Sequence, residues 1–279
     1  MNTQQLQESL AYIRQRVDRI PSLSIILGSG LGSFADNIQT DVVISCRDIP
    51  HYPVSTVEGH AGLIYFGRLN GIPLMALKGR VHYYEGYTKY QVGYPVHIMA
   101  ALGVKSLIVT NAAGAINTDF RPGDLMLITD HINFALDNPL IGSSLIKTEE
   151  RFADMCDAYH APYRKLAQDA ARDLDIELKQ GVLFVTKGPC YETAAEIRMI
   201  RALGGDAGTM STVPEVIVAK QQGMKVLGIS CITNMGTGIL DQKLDHHEVT
   251  VVAGKIEAKF TKLISEIIGR LGNKQESSQ

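Results

Sequence analysis

The chain has 279 residues, enough for one large α/β domain or two small ones and for a sizeable buried core. Its 27 basic and 29 acidic residues leave a net charge of -2, which gives no electrostatic footing for nucleic acid or an acidic membrane surface. No apolar run reaches transmembrane length, and the polar start Met1–Leu10 lacks a signal-peptide core. Cys46, Cys156, Cys190 and Cys231 are scattered with no C-x-x-C pair, so neither a zinc site nor a disulfide framework is expected, and a reducing cytoplasm suits them.

Leu6, Leu10, Ile13, Val17 and Ile20 recur at helical spacing and predict an amphipathic helix over 3–19. Leu23–Leu27 reads as a short buried strand. It runs into Gly28-Ser-Gly-Leu-Gly32, a loop that leaves amide N–H groups uncovered and adds the Ser29 hydroxyl. Such a loop before a helix, here about 31–37, can hold an anion or serve only as a tight turn. Val42–Ser45 is a strand and 47–62 a loop. Asn70-Gly71 marks a hairpin between Leu63–Phe66 and Ile72–Leu77.

A glycine-bounded aromatic stretch, 78–87, carries Arg80 and His82. A helix over 89–102 leads into a buried strand, Ser106–Thr110, then a small-residue loop, Asn111–Asn117. Leu125–Thr129 is a strand. The irregular stretch 131–157 suits a functional loop or an interface. A helix over 158–174, a strand over 182–186 and the loop Gly188-Pro-Cys-Tyr-Glu-Thr193 follow, with a helix behind that loop. The chain closes with a helix over 214–221, a strand over 226–232 ending in Thr233-Asn234, a long helix over 247–271 and a polar tail, 272–279, expected to fray. Buried-type strands alternate with helices and no composition break appears. Residues 1–279 therefore read as a single α/β domain, with the loops after Leu27, Leu77, Thr110 and Ile232 as site walls.

Ser29, His60, Arg80, His82 and Ser211 are small or cationic donors in separate glycine-rich loops, a set that suits a phosphate dianion. Glu192 can cap the following helix or accept from the ring N–H groups of a base, with Tyr191 able to stack. Thr193 and Glu196 form a capping box of their own, which leaves Glu192 freer. Asn234 is either a turn residue or a reader of one donor and one acceptor. His246-His247 reads as a helix start on the surface. Ser33 replaces the third glycine of a dinucleotide loop, and no G-x-S-x-G or H-E-x-x-H occurs, so no dinucleotide, serine-hydrolase or metal site is expected.

The chain resembles the trimeric, low-molecular-mass purine nucleoside phosphorylases. The resemblance lies in Ile26-Leu-Gly-Ser-Gly-Leu-Gly32, Ser55-Thr-Val-Glu-Gly-His-Ala-Gly62, Gly79-Arg-Val-His-Tyr-Tyr-Glu-Gly86, Thr110-Asn-Ala-Ala-Gly114, Gly188-Pro-Cys-Tyr-Glu-Thr193, Met210-Ser-Thr-Val-Pro-Glu215 and Ile232-Thr-Asn234. It implies a central mixed β-sheet flanked by helices and reversible phosphorolysis of purine (deoxy)ribonucleosides to base and pentose 1-phosphate. It assigns Ser29, His60, Arg80, His82, Ala112 (through its amide) and Ser211 to phosphate. Tyr84, Met210 and His246 fall to the ribose, and Tyr191, Glu192 and Asn234 to the base. Asn234, Glu192 and His82 carry the chemistry. It implies a cytoplasmic homotrimer in which Phe152 is lent to a neighbouring subunit. Phosphate enters as cosubstrate, with no cofactor or metal. An Asn–Glu pair suits 6-oxopurines, whereas the related methylthioadenosine phosphorylases typically carry aspartate at position 234.

Three departures stand out: Gly208-Thr209 where the family commonly has Val-Gly, Met235 where animal members often have lysine, and Cys190 where serine or asparagine is common. A nucleoside hydrolase or methylthioadenosine-type enzyme, and a non-catalytic nucleoside-binding module, are the rival readings.

Overall fold

Residues 1–57, 59–146, 150–240 and 246–276 are described by a computed structural model. Nine strands among them join one mixed sheet. In chain order these are β1 Leu23–Leu27, β2 Gln39–Ser45, β3 Leu63–Leu69, β4 Ile72–Lys78, β5 Ser106–Ala115, β6 Leu125–Asn133, β7 Leu178–Val185, β8 Ala207–Thr209 and β9 Lys225–Met235. The helices are α1 Thr3–Arg14, α2 Lys89–Leu102, α3 Ala161–Asp173, α4 Ala194–Ala202, α5 Val213–Gln221 and α6 His246–Glu276.

The strand order is β2-β3-β4-β1-β5-β8-β7-β6-β9, and β9 also pairs with β5 in parallel. Half of the sheet is therefore an open, twisted ribbon, while β5, β8, β7, β6 and β9 close on themselves as a small barrel. β5 belongs to both halves. Its inner segment is buried on both faces, which is why Leu107, Ile108 and Val109 run without polar alternation. Apolar residues of α1, α2 and α5 pack on one face of the sheet, and those of α3 and α6 on the other. No helix among the described residues is long and apolar enough to cross a membrane.

Several elements differ from the sequence reading. Helix α1 stops at Arg14 rather than near residue 19, although Val17 stays buried: the apolar spacing outlasts the helix because the chain remains against the core while it turns toward β1. The expected helix over 31–37 is a 3-10 segment, Gly32–Asn37, whose Gly, Ser, Asp and Asn residues are poor α-formers. The small residues 111–115 are not a loop. They continue β5 to Ala115, paired with β9, which itself runs through Asn234 to Met235. Small residues fit where two strands and a cleft crowd the backbone. Strand β8 is too short to announce itself. Helix α6 extends to Glu276 instead of ending near Leu271, with Gly272 packed on Ile72; of the tail expected to fray, 277–279 lie outside the described residues.

Candidate active site

A cleft of about 350 Å³ opens at the carboxyl ends of β1, β4, β5 and β9, closed on its other side by the ends of β7 and β8. Ten of the expected residues line it: Ser29, Arg80, His82, Tyr84, Ala112, Tyr191, Glu192, Met210, Ser211 and Asn234. His60 stands behind this wall. Phe152 is 93% exposed and does not line the cleft of its own chain. His246 opens α6, and its side chain lies outside the described residues.

At one end Arg80, only 5% exposed, crosses the tip of β1 to reach β5. Its Nη1 donates to the Thr110 carbonyl at 2.7 Å and its Nε to Glu215 Oε1 at 3.0 Å. Its Nη2 is buried with no partner among the described residues. Gly28 makes that crossing possible. A Cβ there would lie 2.7 Å from both Asn111 Cα and the Thr110 carbonyl oxygen, and 3.2 Å from Arg80 Nη1.

The histidines are set by the backbone. His60 Nδ1 lies 2.9 Å from both the amide nitrogen and the carbonyl oxygen of Arg80, and Nε2 lies 2.9 Å from Ser29 Oγ. Burial pulls the His60 pKa down to about 4, so near neutral pH the ring is uncharged. His82 Nδ1 and its amide both lie within 2.9 Å of Glu85 Oε1. Burial works to raise the Glu85 carboxyl, but hydrogen bonds from His82 and Thr56 outweigh it and hold the pKa down at about 2. An ionised Glu85 fixes His82 Nδ1 as the donor, and stacking on Tyr84 at 4.5 Å between ring centroids fixes the ring plane.

At the other end Asn234 sits in β9 opposite Gly114, at a bulge in the β5–β9 register. Thr233 Oγ1 donates to its Oδ1 at 2.9 Å, and Nδ2 donates one proton to the Met235 carbonyl at 3.2 Å. The second Nδ2 proton is left for a ligand. A Cβ at Gly114 would lie 2.9 Å from that Nδ2, so only glycine leaves the amide its place. Glu192 accepts from Thr186 Oγ1 at 2.9 Å, with its second oxygen free of that bond. Thr193 and Glu196 cap α4 as expected, so Glu192 does not. Thr110 and Gly114 are four residues apart on β5, so the backbone points beside which the two groups sit are about 13 Å apart at a strand rise of ~3.3 Å per residue.

Sequence reading missed Glu85 and Glu215. Glu85 follows His82 by three residues, and Glu215 follows Thr212 by three, the spacing of a capping box. The departures sort by place. Met235 is 4% exposed in the core, Cys190 is exposed on the loop before Glu192, and Gly208 and Thr209 line the cleft.

A family model described as the phosphorylase superfamily matches residues 22–269. Purine nucleoside phosphorylase 1 of Bacillus subtilis is 52% identical over 265 residues, covering 95% of this chain and 98% of the relative. The Bos taurus purine nucleoside phosphorylase is 41% identical over 91% of this chain and 90% of its own. The crystal structure of Schistosoma mansoni purine nucleoside phosphorylase in complex with inosine superposes with a TM-score of 0.89 at 34% identity, over 96% of both chains. With a buried arginine and an Asn–Glu pair lining one cleft, and identities of this size over nearly the whole length, the chain belongs to the phosphorylase superfamily and, within it, to the pentosyl-transferring purine nucleoside phosphorylases.

Proposed function

We propose that the enzyme cleaves 6-oxopurine (deoxy)ribonucleosides, inosine and guanosine foremost and xanthosine as a third candidate, with phosphate as cosubstrate and no cofactor or metal. The observation that carries this is the buried Arg80, whose Nη2 has no partner among the described residues and which lines the same cleft as Glu192 and Asn234. On this reading Arg80 Nη2, the Ser29 hydroxyl, His82, Ser211 and the Ala112 amide receive the phosphate dianion. Tyr84, Met210 and His246 border the ribose. Tyr191 stacks on the base, Glu192 takes its N1–H, and Asn234 serves N7 and O6.

The chemistry follows from where charge develops. As the N9–C1′ bond breaks, its electron pair stays with the purine and the sugar becomes cationic at C1′. A phosphate oxygen then bonds to C1′, giving pentose 1-phosphate, and the purine takes up a proton. Donors aimed at N7 and O6 strengthen as negative charge builds there, so they lower the barrier rather than merely bind substrate. The resemblance also suggests a cytoplasmic homotrimer; four free cysteines and an outward-facing Phe152 support that setting. Sedimentation showing an active monomer would remove both the trimer and the role of Phe152.

The test is base release from inosine, guanosine, xanthosine and adenosine, with and without phosphate. Phosphate-dependent release from the 6-oxo nucleosides, with adenosine poor, is expected. Release without phosphate would make the enzyme a hydrolase, and no release would leave a binding module.

A further inference from the structure

The segment Thr212-Val-Pro-Glu215 has the spacing of a capping box for α5, with Thr212 at the cap position and Glu215 three residues on. The structure does not use it so. Thr212 makes no side-chain cap, has a φ of 73°, and its Oγ1 accepts from Asn111 Nδ2 at 2.9 Å. Glu215 turns away from its helix and meets Arg80 instead, both side chains being nearly sealed from solvent, at 3% and 2% exposure. A helix start without its cap is destabilised, and a buried carboxylate is more costly still unless it is paired. A residue kept there under both penalties has its return at Arg80.

We infer that Glu215 is a positioning residue of the phosphate subsite, acting through Arg80; this rests on the phosphate reading of Arg80. The guanidinium is anchored at two of its three nitrogens, Nε by Glu215 and Nη1 by the Thr110 carbonyl. Two anchors fix a rigid plane, so the direction of the unpartnered Nη2 is set before any anion arrives. Removing Glu215 leaves a single anchor, about which the plane can swing. The carboxylate also balances the Arg80 charge, so the subsite is not a bare buried cation when no phosphate is bound. Glu215 is fixed in turn by α5, which packs against α2 where Gly93 admits Val218: a Cβ at Gly93 would lie 2.8 Å from Val218 Cγ2.

The experiment is steady-state phosphorolysis with phosphate and inosine varied in turn. Wild-type enzyme comes first, because base release independent of phosphate would sink the proposed function before Glu215 is touched. Glu215→Ala is expected to raise the phosphate KM at least tenfold while the inosine KM stays within twofold. Glu215→Gln keeps an acceptor for Nε–H and is expected to recover most of that loss. In an Arg80→Ala background, removing Glu215 should not raise the phosphate KM further. If Glu215→Ala does not fold, Glu215→Asp withdraws the carboxylate by one methylene and carries the same expectation. The inference is overturned if both KM values move together, if kcat falls with the phosphate KM unmoved, if Gln is no better than Ala, or if the loss adds to that of Arg80→Ala.

Discussion

Gly28→Ala puts one methyl group where β1, β5 and Arg80 meet. The added carbon would lie 2.7 Å from Asn111 Cα and the Thr110 carbonyl oxygen, against ~3.5–4.0 Å for an ordinary contact, so the strands must part by roughly 1 Å. Both obstacles are backbone atoms of a strand buried on each side, and neither can swing aside. Overpacking of this kind costs about 1–3 kcal/mol, or a fall in Tm of roughly 2–12 °C for a chain of this size. The third obstacle, Arg80 Nη1 at 3.2 Å, moves as well. On the phosphate reading of Arg80, a displacement of about 1 Å there costs about a hundredfold in turnover. The assay is a thermal melt with and without phosphate beside kcat and both KM values for inosine phosphorolysis. Lowered Tm, weaker phosphate protection and a raised phosphate KM are expected together. A variant with wild-type melting and wild-type phosphate dependence would show that Arg80 does not need this crossing.

Asn234→Asp should shift turnover from inosine toward adenosine, because a carboxylate accepts from a 6-amino group. It should also lower stability by about 1–3 kcal/mol, since an oxygen replaces the amide nitrogen 3.2 Å from the Met235 carbonyl; unchanged preference in a paired substrate assay would remove Asn234 as the base reader. Burial holds His60 and His97 neutral, each with its pKa lowered to about 4 from 6.5. Between those values the unfolded chain binds protons that the folded chain does not, so stability should climb as pH rises from 4 to 6.5, and His97→Phe should flatten part of that slope in urea titrations. The Glu85 pKa is lowered to about 2 from 4.5, so its contribution is present above pH 4.5 and lost as pH falls toward 2. The stability gap between wild type and Glu85→Gln should close over that window, and a gap independent of pH would mean that Glu85 gains nothing from being ionised.

The central strands were legible in the sequence because they are buried on both faces: Leu23–Leu27 and Ser106–Thr110 read directly as apolar runs. Their ends were not. Asn111 to Ala115 looks like a loop because its residues are small, yet smallness is what two paired strands and a cleft require. The same ambiguity placed Asn234 after a strand when it lies within one. Cation and base-reading candidates were visible because Arg80, His82 and Glu192 sit in glycine-bounded stretches with no packing reason to carry them. Their partners were hidden for the opposite reason. Glu85 and Glu215 have the spacing of helix caps, and local pattern alone cannot show that one holds a histidine and the other an arginine 135 positions away.

The two ends of the cleft hang from one strand and differ in kind. At Thr110 the backbone holds a guanidinium paired with Glu215; at Gly114 it makes room for an uncharged amide oriented by Thr233. On the proposed reading that difference matches the timing of charge. Phosphate arrives as an anion, so its end needs full positive charge with a counter-charge to keep the waiting site stable. The purine becomes anionic only as the glycosidic bond stretches, so a fixed cation there would bind the ground state without favouring the transition state. A neutral donor, held in place beforehand, gains most as the charge appears and needs no reorganisation at that moment. Because β5 fixes the spacing at both ends, a shift of that strand should cost phosphate and base recognition together, whereas loss of Glu215 should cost phosphate alone.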